Sequence, residues 1–240
     1  MNHLLNNPVY QGLISGDRHL SFGTENVKFF DERVSPFAGF DEGYEKGFEE
    51  LYDILPSGRT ILYATPGKIH RPKGWQLLHE INGLQLVFDP ARGGPMDFVE
   101  PTPLEERHIE QMLQLTALTN PGPFGPRTID FGHYYGIFEN EKLVAMSGQR
   151  LHVQQFSEVS AVCTHPGHLG KGYAAGLVRH QVQLIRQQNQ TPFLHVRGDN
   201  RRAIELYQRI GFAIRGAMNF YVMKRESNEA PKEIRSEIIE

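Results

Sequence analysis

From Glu158 to Ala174 the chain reads Glu-Val-Ser-Ala-Val-Cys-Thr-His-Pro-Gly-His-Leu-Gly-Lys-Gly-Tyr-Ala. A run of small and branched residues ends in a loop holding Pro166, Gly167, Gly170 and Gly172, and the loop opens into a segment of helical period. The first turn of such a helix has amides without intrahelical partners and carries the positive end of the dipole, and glycines let a ligand approach the backbone. An anion, most naturally a phosphate or pyrophosphate, is expected at this loop.

Three phosphate motifs compete for the segment. A P-loop requires a Ser or Thr after Gly-Lys, and Gly172 stands there, so no hydroxyl is left for magnesium. A dinucleotide fingerprint fits Gly170, Gly172 and Ala175, but six residues from Thr164 to Leu169 separate it from the strand, and too little chain follows for a doubly wound sheet. It stays a weaker alternative.

The rest of the C-terminal half reads as alternating elements. Met96 to Pro101 has strand character, and Pro103 to Thr119 has helical spacing with Thr102 as N-cap. The Pro/Gly-rich Asn120-Pro-Gly-Pro-Phe-Gly-Pro126 stops that helix. Strands are predicted over Tyr134 to Glu139 and Lys142 to Gln149, joined at Asn140-Glu141, and over Glu158 to Thr164. Gly172 to Gln187 is a helix with a polar outer face, Thr191 to Val196 a strand, and Asn200 the N-cap of a helix ending near Ile210-Gly211. Phe212 to Ile214 and Met218 to Met223 form a closing pair.

In the N-terminal region Asn26 to Asp31, Val34 to Phe40, Thr60 to Thr65 and Gly83 to Phe88 are predicted extended, with helices at Tyr44 to Leu55 and Trp75 to Ile81. This order repeats the one from Glu158 to Phe212, as a degenerate half of the same fold would. The expected division is an N-terminal α/β region over 1–95, a second domain over 96–225 and a charged tail over 226–240.

With 25 Lys and Arg against 28 Asp and Glu, no overall basic field argues for nucleic acid or an anionic membrane surface. The apolar runs are too short for a membrane span. The start has neither the basic nor the apolar stretch of a signal peptide, and the single Cys163 forms no intramolecular disulfide, so a cytoplasmic protein is expected. His165 and His168 read as loop histidines, because no third ligand stands at metal spacing, and no metal is expected.

Leu169-Gly-Lys-Gly-Tyr-Ala174 resembles motif A of the GNAT superfamily of N-acetyltransferases, Gln/Arg-x-x-Gly-x-Gly/Ala, with Leu169 at the position of Gln or Arg. The downstream Asn200-Arg-Arg-Ala-Ile-Glu-Leu-Tyr-Gln-Arg-Ile-Gly-Phe212 is similar to the superfamily's Asn-x-x-Ala-x-x-x-Tyr-x-x-x-Gly-Phe segment. Ala145-Met-Ser-Gly-Gln-Arg, Glu158 to Pro166 and Pro192-Phe-Leu-His-Val resemble the FR47-like branch. The likeness runs from about Phe98 to Arg225.

The resemblance implies a mixed α/β fold with a central mixed sheet flanked by helices. It implies that the strands at Glu158 to Thr164 and Thr191 to Val196 splay, leaving room for the arm of acetyl-CoA as co-substrate. Pantetheine would pair with backbone near Val162 and Thr164, pyrophosphate would sit on Leu169, Gly170, Lys171, Gly172, Tyr173 and Ala174, and Asn200 would touch the arm. Lys171 and Arg179 are candidates for added charge. The implied activity is transfer of an acetyl group to a primary amine, on a small molecule or a peptide, by direct attack in a ternary complex. A non-catalytic acyl-CoA-binding module is the alternative.

Within that resemblance Glu158, eleven positions before the glycine motif, stands where histone-acetylating members place a catalytic glutamate, and is the first candidate for the base. His133 and His195 are further candidates. Tyr207 matches the tyrosine that protonates the CoA sulfur. Arg127, Thr128 and Asp130 fall where the superfamily places a substrate-facing loop. Cys163 reads as a buried small hydrophobe, and in a regular strand it points to the face opposite Glu158.

Overall fold

The computed structural model describes residues 3–92 and 100–227. In chain order the strands are β1 Ser21–Gly23, β2 Val27–Phe30, β3 Ala38–Phe40, β4 Thr60–Thr65, β5 Trp75–Phe88, β6 Thr102–Pro103, β7 Tyr135–Glu139, β8 Lys142–Val153, β9 Phe156–Thr164, β10 Thr191–Arg197 and β11 Phe212–Arg225. The α-helices are α1 Pro8–Ile14, α2 Gly47–Ile54, α3 Ile109–Thr119, α4 Tyr173–Gln187 and α5 Arg201–Ile210. One mixed sheet of eight strands has the order β4-β11-β5-β10-β9-β8-β7-β6, and β1 to β3 form a small antiparallel sheet beside it.

The large sheet is apolar on both faces because helices cover both. On one, α4 and α5 bury Val178, Val182, Ile185 and Tyr207 against Val159, Leu194 and Phe212. On the other, Val9 and Leu13 of α1 and Met112 and Leu115 of α3 join Met146, Cys163 and Phe193. A third cluster packs Leu51 of α2 with Trp75, Tyr221 and Met223 at the far end of the β5–β11 ribbon.

The boundary expected near residue 95 does not divide this sheet, since β5 lies between β11 and β10 and β4 forms the sheet's outer strand. Trp75 to Ile81 is strand, not helix, and is continuous with Gly83 to Phe88. The spacing of Trp75, Leu78 and Ile81 imitates a helical stripe. Pairing with β11 along the whole strand overrides it, and the projecting end leaves Leu77 and Leu78 exposed. With that helix gone, the resemblance of order between the two halves is lost.

The closing pair is likewise a single strand, β11, bulged at Arg215 and paired with β5 on one side and β4 on the other. Thr102 and Pro103 pair with Gly136 and Tyr135 in place of opening a helix. α3 follows a single 3-10 turn, Glu106–His108, whose start is closed by reciprocal bonds between Glu105 and His108. Of the segment expected extended over Met96 to Pro101, Met96 to Val99 lie outside the described residues, as do residues 228–240 of the tail. Val34 to Phe40 is extended as strand only over Ala38–Phe40.

Other expectations match closely. Asn140 and Glu141 take φ of 49° and 64°, the left-handed pair of a tight hairpin turn. Asn200 Oδ1 accepts the Ala203 amide at 3.2 Å, and Gly211 closes α5 at φ 119°.

Candidate functional site

β9 and β10 run parallel, yet they pair only at Phe156–Thr191, Ser157–Pro192 and Glu158–Phe193. β9 continues to Thr164 and β10 to Arg197, so beyond Glu158 the two strands diverge and a wedge opens in the sheet. Within the wedge wall Ala161 has φ 52°, and the register against β8 slips between Ser160 and Cys163. This is a β-bulge, which turns the strand and breaks alternation. Its consequence corrects the expectation for Cys163. The thiol lies on the same face as Glu158, and both stand beside the buried Tyr134. It remains a buried group, its thiol pushed up to about 11 by burial.

Two cavities meet at the wedge. The first, about 460 Å³, reaches from Val162 and Thr164 to the glycine loop and α5. Gly170 and Gly172 adopt φ of 82° and 80°, which disfavours any residue with a Cβ, and the space where that Cβ would point is open. Gly172 ends in this conformation at the N-terminus of α4, so the amides of the first turn aim into the cavity mouth. Leu169, Gly170, Gly172, Tyr173, Ala174 and Asn200 line it. His168, Arg202 and Arg209 line it too. The two arginines escaped the sequence reading because an arginine on an amphipathic helix carries no signal of its own. Arg179 is not among the lining residues.

Lys171 turns to Glu139 on the neighbouring β7, with Nζ 2.7 and 3.0 Å from the carboxylate oxygens. The Tyr173 hydroxyl donates to the same carboxylate. Bonds from Lys171 and then Tyr173 hold the Glu139 carboxyl at about 2.

The second cavity, about 620 Å³, lies on the other side of the wedge. Its walls come from distant parts of the chain: Phe37, Leu62 and Ile81, the loop Asn120 to Pro123, and Arg150, His195 and Phe220. The first 95 residues thus supply an apolar wall, which local pattern could not disclose. Arg127, Thr128 and Asp130 are absent from it. Thr128 Oγ1 donates to Val34 O at 2.6 Å, and Arg127 pairs with Asp130 and Glu106, so these residues tie loops together.

Val162, Cys163, Thr164, Asn200 and Tyr207 line both cavities. Tyr207 is buried, its phenol pushed up to about 12 by burial and then by the nearby Cys163. Thr164 Oγ1 is buried without a hydrogen-bond partner among the described residues. Beyond Glu158 the edge of β9 that faces β10 has no ladder. A chain of amides and carbonyls laid along that edge would complete the pairing, and a pyrophosphate would meet the open glycine loop. The residues therefore fit a pantetheine-bearing nucleotide.

Glu158, expected to take a proton from the amine, is 1% exposed and lines neither cavity. Arg150 Nε and Nη2 donate to its oxygens at 2.9 and 2.7 Å, and His195 Nδ1 donates at 2.8 Å. Burial alone would raise this carboxyl, but Arg150 and then His195 outweigh burial and hold it far below the usual range. Gln85 carries the network further. Its Oε1 accepts from Arg215 at 2.8 Å, so its amide nitrogen faces His195 Nε2 at 2.9 Å. His195 is thereby bonded at both ring nitrogens. His133, the other alternative, lines neither cavity.

Residues 134–221 match the family model described as FR47-like protein. A crystal structure described as an acetyltransferase from the GNAT family of Novosphingobium aromaticivorans DSM 12444 superposes with a TM-score of 0.85 at 29% identity, over 94% of this chain and 100% of that one. In its matched segment and in its fold this chain is similar to the GNAT acetyltransferases, FR47-like branch. The fold is shared more distantly. A GCN5-related N-acetyltransferase from Kribbella flavida aligns at TM-score 0.59 and 12% identity over 88% of this chain and 95% of that chain. An acetyltransferase from the GNAT family of Colwellia psychrerythraea aligns at 0.52 and 12% over 93% and 98%. No curated protein sequence matches it. Among its described residues no helix is long and apolar enough to cross a membrane, and no group of three or more His, Cys, Asp or Glu could hold a metal.

Proposed function

We propose that this acetyltransferase moves an acetyl group from acetyl-CoA to a primary amine by direct attack, with both substrates bound. The observation that carries the reading is the meeting of two cavities at Tyr207: one has an anion cradle at its far end, the other apolar walls. Leu169 to Ala174 would hold the pyrophosphate through backbone amides, Val162 and Thr164 the pantetheine arm, and Asn200 its amide-bearing middle. Acetyl-CoA, when bound, supplies the thioester carbonyl carbon to which the amine nitrogen bonds as the carbon–sulfur bond breaks.

Tyr207 is assigned as proton donor to the departing sulfur. A phenol near 12 is a weaker acid than a thiol near 8.5, so its proton moves together with the one that the attacking nitrogen releases. The net transfer runs from nitrogen to sulfur through the phenol. No separate base is then required, provided that the amine arrives neutral. Glu158 is assigned as a positioning residue that fixes Arg150 and His195 in the floor of the acceptor cavity, in place of the direct base role.

Thiol release with a panel of amines, alongside calorimetry with CoA, tests the reading. Acceptor-dependent release of free CoA is expected. Tight CoA binding with no thiol released by any acceptor would favour a binding module.

A further inference from the structure

Resting on the reading of the second cavity as the acceptor site, we propose that the acceptor is a free α-amino acid with an apolar side chain, its carboxylate held by Arg150. The cavity's charge argues against a simple alkyl ammonium. No Asp or Glu lines it among the described residues, so a cationic amine finds no counter-ion there. Its charged lining residues are Arg150 and Arg197, the latter paired outward with the exposed Asp199.

Arg150 is set for more than its ion pair. Its guanidinium carbon lies 4.8 Å from the centroid of the Phe37 ring, and only Nε and Nη2 are committed to Glu158. Nη1 makes no hydrogen bond among the described residues and is not sealed from solvent, and the side chain keeps 12% of its surface exposed. A guanidinium has five donors, so the side-on pair leaves a charged edge for an oxygen ligand. Leu62, Ile81 and Phe220 line the same cavity and give it apolar surface. The ligand that satisfies both features carries an anionic oxygen and an apolar group close together, with its amine directed to the shared wall at Tyr207. An amine flanked by its own carboxylate also enters an acid-free cavity without leaving a net positive charge behind.

The test begins with the intact, unmodified protein. Thiol release at saturating acetyl-CoA is compared for leucine and phenylalanine, for their amides, and for the corresponding amines lacking the carboxylate. Each kcat/KM is expressed per neutral amine, so that basicity does not decide the result. The free acids are expected to exceed both the amides and the amines by about tenfold, the worth of a charge-assisted hydrogen bond. Arg150→Lys, which keeps a charge beside Glu158 but removes the spare donors, is expected to abolish that preference while CoA affinity stays. Amides or amines that equal or exceed the free acids in the unmodified protein overturn this proposal and leave acetyl transfer standing. Absence of thiol release with every acceptor, while CoA still binds, overturns the transfer reading and this proposal together.

Discussion

Arg150 and Glu158 meet side-on across β8 and β9, with Nε and Nη2 2.9 and 2.7 Å from the two carboxylate oxygens. Both are largely buried, at 12% and 1% side-chain exposure, so neither charge is tolerated without the other. The pair lies one residue from the point where β9 and β10 part, with His195 on its flank. It acts as a rivet at the apex of the wedge.

Glu158→Gln is therefore expected to destabilise the fold by about 3 kcal/mol, because Arg150 loses its counter-charge in a buried site. Activity of the folded fraction should fall by a similar factor at every pH. A base would lose most at low pH, where neutral amine is scarce, so a pH-dependent loss in the rate profile would restore Glu158 as the base. Adding Arg150→Met to Glu158→Gln should cost less than the sum of the single changes, measured by denaturant unfolding. The sign for pH follows from the depressed carboxyl. The pair's contribution is full above the ordinary carboxylate range and is lost as pH falls below it toward the folded-state value.

Tyr207→Phe removes one oxygen from a buried ring packed edge-on against Phe212 at 6.1 Å between centroids. Turnover at saturating donor should drop by about a hundredfold, the usual worth of a positioned proton donor. CoA affinity by calorimetry and the melting temperature should stay nearly unchanged, since the phenol oxygen has no hydrogen bond to lose among the described residues. Unchanged turnover would remove its assigned role.

Local signals served the helical elements best. Asn200, Gly211 and the Asn140-Glu141 turn each act within a few residues of their own position, and α4 and α5 stand where capping and apolar spacing put them. Gln181 of α4 is polar yet buried, bonded to His133 O at 2.7 Å and to Gln149 at 3.1 Å, which local pattern does not disclose. What pattern could not supply depends on distant pairing. β5 is held by β11, more than a hundred residues away, and the bulge at Ala161 reverses the face on which Cys163 falls. The second cavity is assembled from Phe37, Ile81, Arg150 and Phe220, so no single stretch of sequence contains it. The glycine loop was legible because its whole mechanism is local: backbone amides, two left-handed glycines and the start of a helix.

Gly172→Ala tests that loop directly. A Cβ at position 172 would meet no neighbour, so the cost to the free protein comes from φ 80° alone and should be about 1 kcal/mol in unfolding experiments. The open space it would enter is where, on the proposed reading, a pyrophosphate would approach the amides. CoA affinity should therefore fall by more than the stability change implies, about tenfold or beyond, as read by calorimetry. A variant that binds CoA as tightly as the unmodified protein would place the phosphates elsewhere.

Glu139 opposes the same loop. Its carboxylate takes up Lys171 and the Tyr173 hydroxyl, two donors that stand at the mouth of the anion cradle. As a negative charge it would also repel a phosphate bound on this loop directly. Glu139→Gln should release Lys171 and tighten CoA binding, by about threefold given that the pair is exposed and screened. The salt dependence discriminates between causes. With Lys171 free to meet a phosphate, the logarithm of the affinity should fall more steeply with ionic strength than in the unmodified protein. A variant that binds more weakly, with the slope unchanged, would mean that Glu139 holds the loop in its binding shape.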